Sequence, residues 1–485
     1  VAPGGGGSTP KALWAHYKLG RYRSVVEATV EAGAEPSHWR SQMALAVSAA
    51  ACGQPALLGG AIAALQAANP SPRLRRQVAQ SLAAFAPAAA LELLAGEQPS
   101  LLQAALLEKT GQHQGAIAAL SSVNGSASGP RIHVNEADAL LLQANLLETP
   151  PAETLAALNH YLARFQLEPL AVTQAGAMPC PQTLRSAVPL RHSDGPVVSV
   201  IVATYNGAAR LEAALLSLLL QTYRAVEIIV IDDCSSDDTT GVVRHLQGRH
   251  TNILYRRLPV NVGPYVAKTL GLELASGPFV TCHDCDDWSH PCKIAAQVAP
   301  LLRHRGLVAT ASRWVRLDDG GRAYARSTYP LLRLNPSSIL FRKAEVLEKA
   351  GLWDISRTGA DSEFLARLKA VFGRRRVRMV AAPLAFGAHR SDSLMTARST
   401  GMDTGAMHPD RLAYWQAWSG WHIAALGRGE ALRMPALEAV RPFLVPEALL
   451  NAPRAIETCL ALWRQRSELG EGEPCDQGNP GETIG

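Results

Sequence analysis

A chain of 485 residues with 47% apolar and 18% charged residues has room for two or three domains and is too apolar for a disordered protein. Its net charge of +6, from 47 Lys and Arg against 41 Asp and Glu, is a mild excess. No basic stripe interleaved with aromatics argues for nucleic acid. Eight cysteines spread over the whole length exclude a small disulfide scaffold and point to a reducing compartment. No apolar run approaches the ~18 residues of a spanning helix, and Val1 to Ser8 does not resemble a signal peptide. The expected location is cytoplasmic, at most peripheral at the inner face of a membrane.

Residues 1–9 read as a disordered start. From 10 to 173 the chain is rich in Ala and Leu and reads as helices. In Leu13 to Tyr22 a glycine separates two aromatic-bearing segments, and Ala104 to Leu120 repeats the pattern around Gly111. These segments resemble tetratricopeptide-type helical hairpins, which bury their faces only by stacking. An irregular helical domain is the competing reading. Gln174 to Pro196, with four prolines, reads as a linker, so the parts on either side are expected to fold separately.

The texture then changes to strand and helix in alternation. Val197–Ala203 is a β-branched run ending at Thr204, Tyr205 and Asn206. Ala208–Gln221 is helical, and Val226–Ile231 is a second strand ending at Asp232 and Asp233. Helix Thr239–Gln247, strand Ile253–Arg257 and helix Tyr265–Ala275 follow. This order predicts an α/β fold with a mostly parallel sheet and ligands at the carboxyl ends of its strands.

The stretch Phe279 to Pro291, FVTCHDCDDWSHP, carries the densest chemistry. Asp284, Asp286 and Asp287 follow a short apolar strand, where carboxylates need a cation or donors to offset lost solvation. Hard oxygen ligands in such a place favour Mg²⁺ or Mn²⁺. The neighbouring Cys282, His283, Cys285, His290 and Cys292 invite a zinc reading, but no second ligand pair follows at the usual spacing. His283 reads as a strand residue hydrogen-bonded locally.

Taken together, VSVIVATYN, VIDDCSSDDT, NVGPYVAKTLGLELASG and HDCDDWSHP resemble the inverting family 2 glycosyltransferases of GT-A fold, over roughly Pro196 to Thr396. The resemblance implies a GT-A domain over 197–411. Thr204, Tyr205, Asn206 and Asp233 would hold the nucleotide, with Asp232 as a second acidic neighbour. Asn261, Gly263 and Lys268 would lie beneath the nucleotide. Asp284 would contact ribose and, with Asp286, the metal on the diphosphate. Asp361, with Ala360 in place of the family's preceding acidic residue, would be the base, and Glu363 is the alternative. A simple helix cap is the plain reading of Asp361. Asn335 to Arg342 resembles the segment beside the acceptor, and His389 with Arg390 the late loop over the diphosphate.

The implied activity is non-processive hexosyl transfer, with inversion, from a UDP-sugar to a glycan or lipid-linked glycan acceptor in surface polysaccharide or lipopolysaccharide synthesis. The helical repeats would be free to bind a protein partner. An inactive transferase-fold scaffold is the alternative function. Nucleotidyl transfer is disfavoured because the first strand lacks a Gly-rich, Lys- or Arg-bearing loop. The run Arg374–Arg378 reads as a solvated strand entry. Residues 412–464 read as C-terminal helices whose tryptophans pack on the catalytic domain, and 465–485 as a disordered tail.

Overall fold

The computed structural model describes residues 9–33, 36–124, 134–188, 192–394, 396, 401, 405–451 and 453–469. Its first part consists of helices α1 (Pro10–Lys18), α2 (Tyr22–Ala32), α3 (Trp39–Ala51), α4 (Pro55–Ala67) and α5 (Pro72–Leu82). They continue as α6 (Pro87–Glu92), α7 (Leu101–Lys109), α8 (His113–Asn124), α9 (Val134–Leu147) and α10 (Pro151–Ala163). The glycines read as hairpin turns do that work: Gly20 and Gly111 take φ of 72° and 77°, a region that costs other residues a Cβ clash.

The stretch read as a linker is more ordered than its prolines suggested. β1 (Leu170–Val172) pairs antiparallel with β2 (Leu184–Ser186). Cys180 is buried, and the Thr183 hydroxyl donates to the Met178 carbonyl at 2.5 Å, so local hydrogen bonds replace a free coil.

Strands β3 (Val198–Thr204), β4 (Val226–Asp232), β5 (Ile253–Arg257) and β6 (Phe279–Cys282) form the parallel half of a mixed sheet. The other half contains β7 (Trp288–Ser289), β8 (Ala309–Leu317), β9 (Ala323–Tyr324), β10 (Arg333–Leu334), β11 (Leu340–Arg342) and β12 (Val377–Ala388). The strand order is β5-β4-β3-β6-β11-β8-β12-β7, with β9 and β10 pairing on β8. β3 is apolar nearly throughout because both of its faces are buried. Between the strands lie α11 (Ala208–Leu219), α12 (Thr239–Gln247), α13 (Pro264–Leu274), α14 (Lys293–Arg303), α15 (Lys343–Lys349) and α16 (Ala360–Phe372). Two apolar cores line the sheet, one under α13 and α16 and the other under α11, α12 and α14.

After the sheet come α17 (Pro409–Arg428) and α18 (Pro453–Leu469). The last helix thus runs five residues into the stretch expected to be a tail. Residues 470–485 and the start at 1–8 lie outside the described residues. The tryptophans of α17 divide their work. Trp418 is buried with Tyr414, Val445 and Leu449, whereas Trp415 turns to the N-terminal helices and donates to the Leu19 carbonyl at 2.7 Å.

The expectation of two separable parts meets a physical obstacle. One continuous apolar core joins the N-terminal helices to Trp288, Val315, Leu317, Leu331 and Phe386 of the α/β part. At roughly 2 kcal/mol per large side chain, uncovering these five would cost about 10 kcal/mol, comparable with the whole stability of a domain. A fragment starting at residue 192 is therefore expected to aggregate. A soluble fragment with a cooperative thermal transition would show that the shared core is dispensable.

Candidate active site

The site lies where β3, β4 and β6 end. Asp284, just past β6, accepts from the Lys268 ammonium at 3.1 Å, and Lys268 is delivered by α13 with only 3% of its surface exposed. The same ammonium lies 3.9 Å from Asp361 and over the Tyr265 ring. Asp361 also accepts from the Tyr265 hydroxyl at 2.9 Å and from Ser337 at 3.1 Å. It does not cap its helix: Gly359 occupies the cap, and Asp361 sits in the first turn facing α13. Burial pushes its carboxyl up and Asp284 adds repulsion, against the pull of Lys268. For Asp284 burial acts upward too, but Lys268 prevails and holds that carboxyl below its ordinary range.

Asp286 turns the other way and pairs with Arg390 at 3.0 Å. Asp287 is buried, and its carboxylate accepts from the Ala388 amide at 3.1 Å, which ties the acidic turn to the end of β12. Burial and repulsion from Asp286 and Asp284 push the Asp287 carboxyl well up. His283 is bonded locally, to the Asp287 carbonyl at 3.1 Å and to Ser289 at 3.3 Å. Burial lowers its pKa to about 3, so it is neutral. His290 is held by the Glu168 carbonyl and its own neighbour Cys292.

Among the described residues no group of three or more His, Cys, Asp or Glu side chains converges on one point. A divalent ion here would take carboxylate oxygens from Asp284 and Asp286 and complete its shell with water and diphosphate. That is the usual habit of Mg²⁺ and Mn²⁺ at phosphate sites; the two carboxylates are of the right chemistry, and each is paired with a cationic side chain, Asp284 with Lys268 and Asp286 with Arg390.

On the other side of β6, the residues expected at the nucleotide fall into two groups. Tyr205 is exposed. Thr204 is buried at the end of β3, and Asn206, with φ of 50°, accepts from the Ser236 amide at 2.8 Å. Asp232, by contrast, is wholly buried. Its oxygens accept from the Ser235 amide at 2.8 Å and the Tyr255 hydroxyl at 2.7 Å, so it braces the turn and presents no surface to the crevice. Asp233 accepts from the amides of Val262 and Gly263, both at 2.7 Å, and burial raises its pKa to about 6. Asn261 returns a bond to the Asp233 carbonyl at 3.1 Å. Gly263 has φ of 87°, and a Cβ there would collide with the Asn451 carboxamide.

Several residues of the site escaped the reading of the sequence. Tyr265 and Ser337 both bond Asp361. Arg210, in the first turn of α11, binds Asp319 through two 2.9 Å bonds. The Gln182 amide reaches the Asp286 carbonyl at 3.4 Å. Beside Asp286 opens a cavity of about 580 Å³ lined by Arg210, Asp318, Asp319, His389, Arg390 and Asp392. Tyr265 and Ser337 lay in stretches that the motifs had flagged. The others come from distant segments with no motif of their own.

Glu363 is a different kind of carboxylate. It is fully buried, pairs with Arg367 through bonds of 2.8 and 2.9 Å and accepts from His422 of α17 at 2.9 Å. Arg367 also donates to the Ala350 and Leu352 carbonyls.

A crevice of acidic turns at the carboxyl ends of parallel strands is where open α/β sheets place their ligands. Residues 199–359, about a third of the chain, match the sequence model of glycosyl transferase family 2, and this segment supplies the acidic turns of the crevice. An uncharacterized glycosyltransferase of Haemophilus influenzae is 32% identical over 126 residues, 26% of this chain and 50% of that protein. The UDP-Glc:alpha-D-GlcNAc-diphosphoundecaprenol beta-1,3-glucosyltransferase WfaP of Escherichia coli is 32% identical over 122 residues, 25% of this chain and 48% of its own. The chain thus spans about half the length of these curated relatives. A crystal structure of S. aureus TarS 1-349 with UDP-GlcNAc superposes with a TM-score of 0.38 at 18% identity, covering 56% of this chain and 72% of that one. Among the described residues, no helix is long and apolar enough to cross a membrane.

Proposed function

We propose that the chain transfers a hexosyl group, with inversion, from a UDP-sugar to a hydroxyl of a glycan or lipid-linked glycan in surface polysaccharide synthesis. The observation that carries this reading is the shared cation. Lys268 lies 3.1 Å from Asp284 and 3.9 Å from Asp361, so the diphosphate-side carboxylate and the base lie within one ion's reach. Asp361 takes the acceptor's proton as the acceptor oxygen bonds to the anomeric carbon. The bond from that carbon to the diphosphate breaks on the opposite face, and its electron pair leaves with UDP.

Mg²⁺ or Mn²⁺ held by Asp284 and Asp286 would stabilise the negative charge that grows on the leaving diphosphate. Arg390 offers a second cation to the same oxygens. Thr204, Tyr205, Asn206 and Asp233 form the base and ribose side, with Asn261 and Gly263 shaping its floor. The choice of Asp361 over Glu363 is supported by Glu363's burial among Arg367 and His422, where an acceptor hydroxyl has no access. A UDP donor and a lipid-diphosphate acceptor are supported by the activity for which the Escherichia coli relative is named. A lipid-linked acceptor would bring the protein to the inner face of a membrane.

Titration calorimetry with UDP tests the proposal. Binding should strengthen with Mn²⁺ or Mg²⁺ and weaken in Asp286→Ala. Equal affinity after chelation would remove the metal, and no UDP binding at all would leave the inactive scaffold as the better reading.

A further inference from the structure

The crevice has a wall that no transferase motif supplies. Segment 318–334 leaves β8, forms the turn at Asp318–Gly321 and returns through β9 and β10, and helices of the N-terminal layer hold most of it. Asn145 of α9 clamps Ala323 in both directions: its amide donates to the Ala323 carbonyl at 2.8 Å, and its oxygen accepts from the Ala323 amide at 2.9 Å. Arg322 donates to Glu108 of α7 at 2.9 Å and to the Asn145 carbonyl at 3.2 Å. Farther on, Asp138 accepts from the Leu331 amide at 2.6 Å, and Thr328 donates to the Ala83 carbonyl at 3.1 Å.

This anchorage delivers one aromatic ring to the site. Tyr324, next to the clamped Ala323, stacks face to face on His389 at 3.6 Å with an interplanar angle of 5°. Lys109, at the end of α7, covers the Tyr324 ring from 5.3 Å. His389 lines the 580 Å³ cavity, and the next residue, Arg390, pairs with Asp286. A continuous series of contacts therefore runs from α7 and α9, through Tyr324 and His389, to the arginine beside the acidic turn.

We infer that Tyr324 is a positioning residue for the diphosphate-side loop, and that the helical layer, through Asn145 and Lys109, holds it there. The inference rests on the reading of Arg390 as a diphosphate ligand. A flat ring stacked on His389 fixes the imidazole plane and, with it, the direction in which the loop sends Arg390. Without the ring the guanidinium samples more positions, and its bond to a phosphate oxygen costs more ordering entropy.

The test compares UDP with uridine, each with Mn²⁺, on full-length protein. Uridine lacks the diphosphate, so its affinity reports whether the rest of the site is intact. Arg390→Ala sets the size of the arginine's contribution. Tyr324→Ala should weaken UDP by about tenfold, the scale of one charge-assisted hydrogen bond, and leave uridine unchanged. Tyr324→Phe, which keeps the stack, should restore UDP binding. Asn145→Ala and Lys109→Ala, both in the helical layer, should weaken UDP in the same selective way.

If Arg390→Ala weakens UDP while Tyr324→Ala and Asn145→Ala do not, the inference fails and the site reading stands. A parallel loss of uridine binding would make Tyr324 a general fold residue and overturn the inference too. If Arg390→Ala itself leaves UDP unchanged, the site reading fails and the inference falls with it.

Discussion

Asp361→Asn is expected to keep UDP affinity and lose transfer by on the order of a hundred- to ten-thousand-fold, the usual cost of removing a general base. The amide preserves the shape of the carboxylate and can still accept from Tyr265 and Ser337, which bond Asp361 at 2.9 and 3.1 Å. What it cannot do is take a proton. Lys268 keeps its 3.1 Å contact with Asp284, so the diphosphate side is left in place. The measurement is turnover with a true acceptor beside calorimetry with UDP. Transfer that survives Asp361→Asn would take the base role away from this residue.

Glu363→Gln should show the opposite pattern. Glu363 and Arg367 are both fully buried, and burial alone would raise the glutamate's pKa. The Arg367 guanidinium outweighs that and holds it below its ordinary range. Neutralising one member leaves a charge without compensation in the interior, a defect that costs about 3–5 kcal/mol. For a domain of typical marginal stability that is a large fraction of the total. The variant should unfold at markedly lower denaturant concentration, while the molecules that remain folded turn over normally. A variant as stable as the parent, with transfer abolished, would instead place the base at Glu363. Carboxylates two positions apart on α16 thus separate by readout, one in rate and the other in stability.

The α/β class, the order of its strands and helices and the acidic turn after β6 were legible in the sequence, for physical reasons. Parallel strands buried on both faces must be largely apolar, as Val198–Thr204 and Val226–Asp232 are apart from Ser199, Glu227 and their last residues, and their polar ends then stand out as loaded turns. Asp284 and Asp286 stood out because carboxylates at such ends need partners, and Asp361 only through the resemblance of its segment to a family motif.

The sequence could not say which partners they have. Lys268 and Tyr265 meet Asp361 across 93 and 96 positions, Ser337 across 24, and only packing brings them together. Nor could it separate Asp232 from Asp233. Neighbours in a strand point to opposite sides, and that alternation gives Asp232 the Tyr255 hydroxyl and Asp233 the amides of the 262–263 turn.

The relation between the two halves was the largest tertiary decision. A proline-rich stretch reads as a hinge because local sequence reports local stiffness. Whether the flanking parts share a core depends on surfaces far apart in the chain. Trp288, Val315 and Phe386 are ordinary apolar strand residues in sequence. The structure alone shows the N-terminal helices covering them, because burial is a property of what lies opposite a side chain.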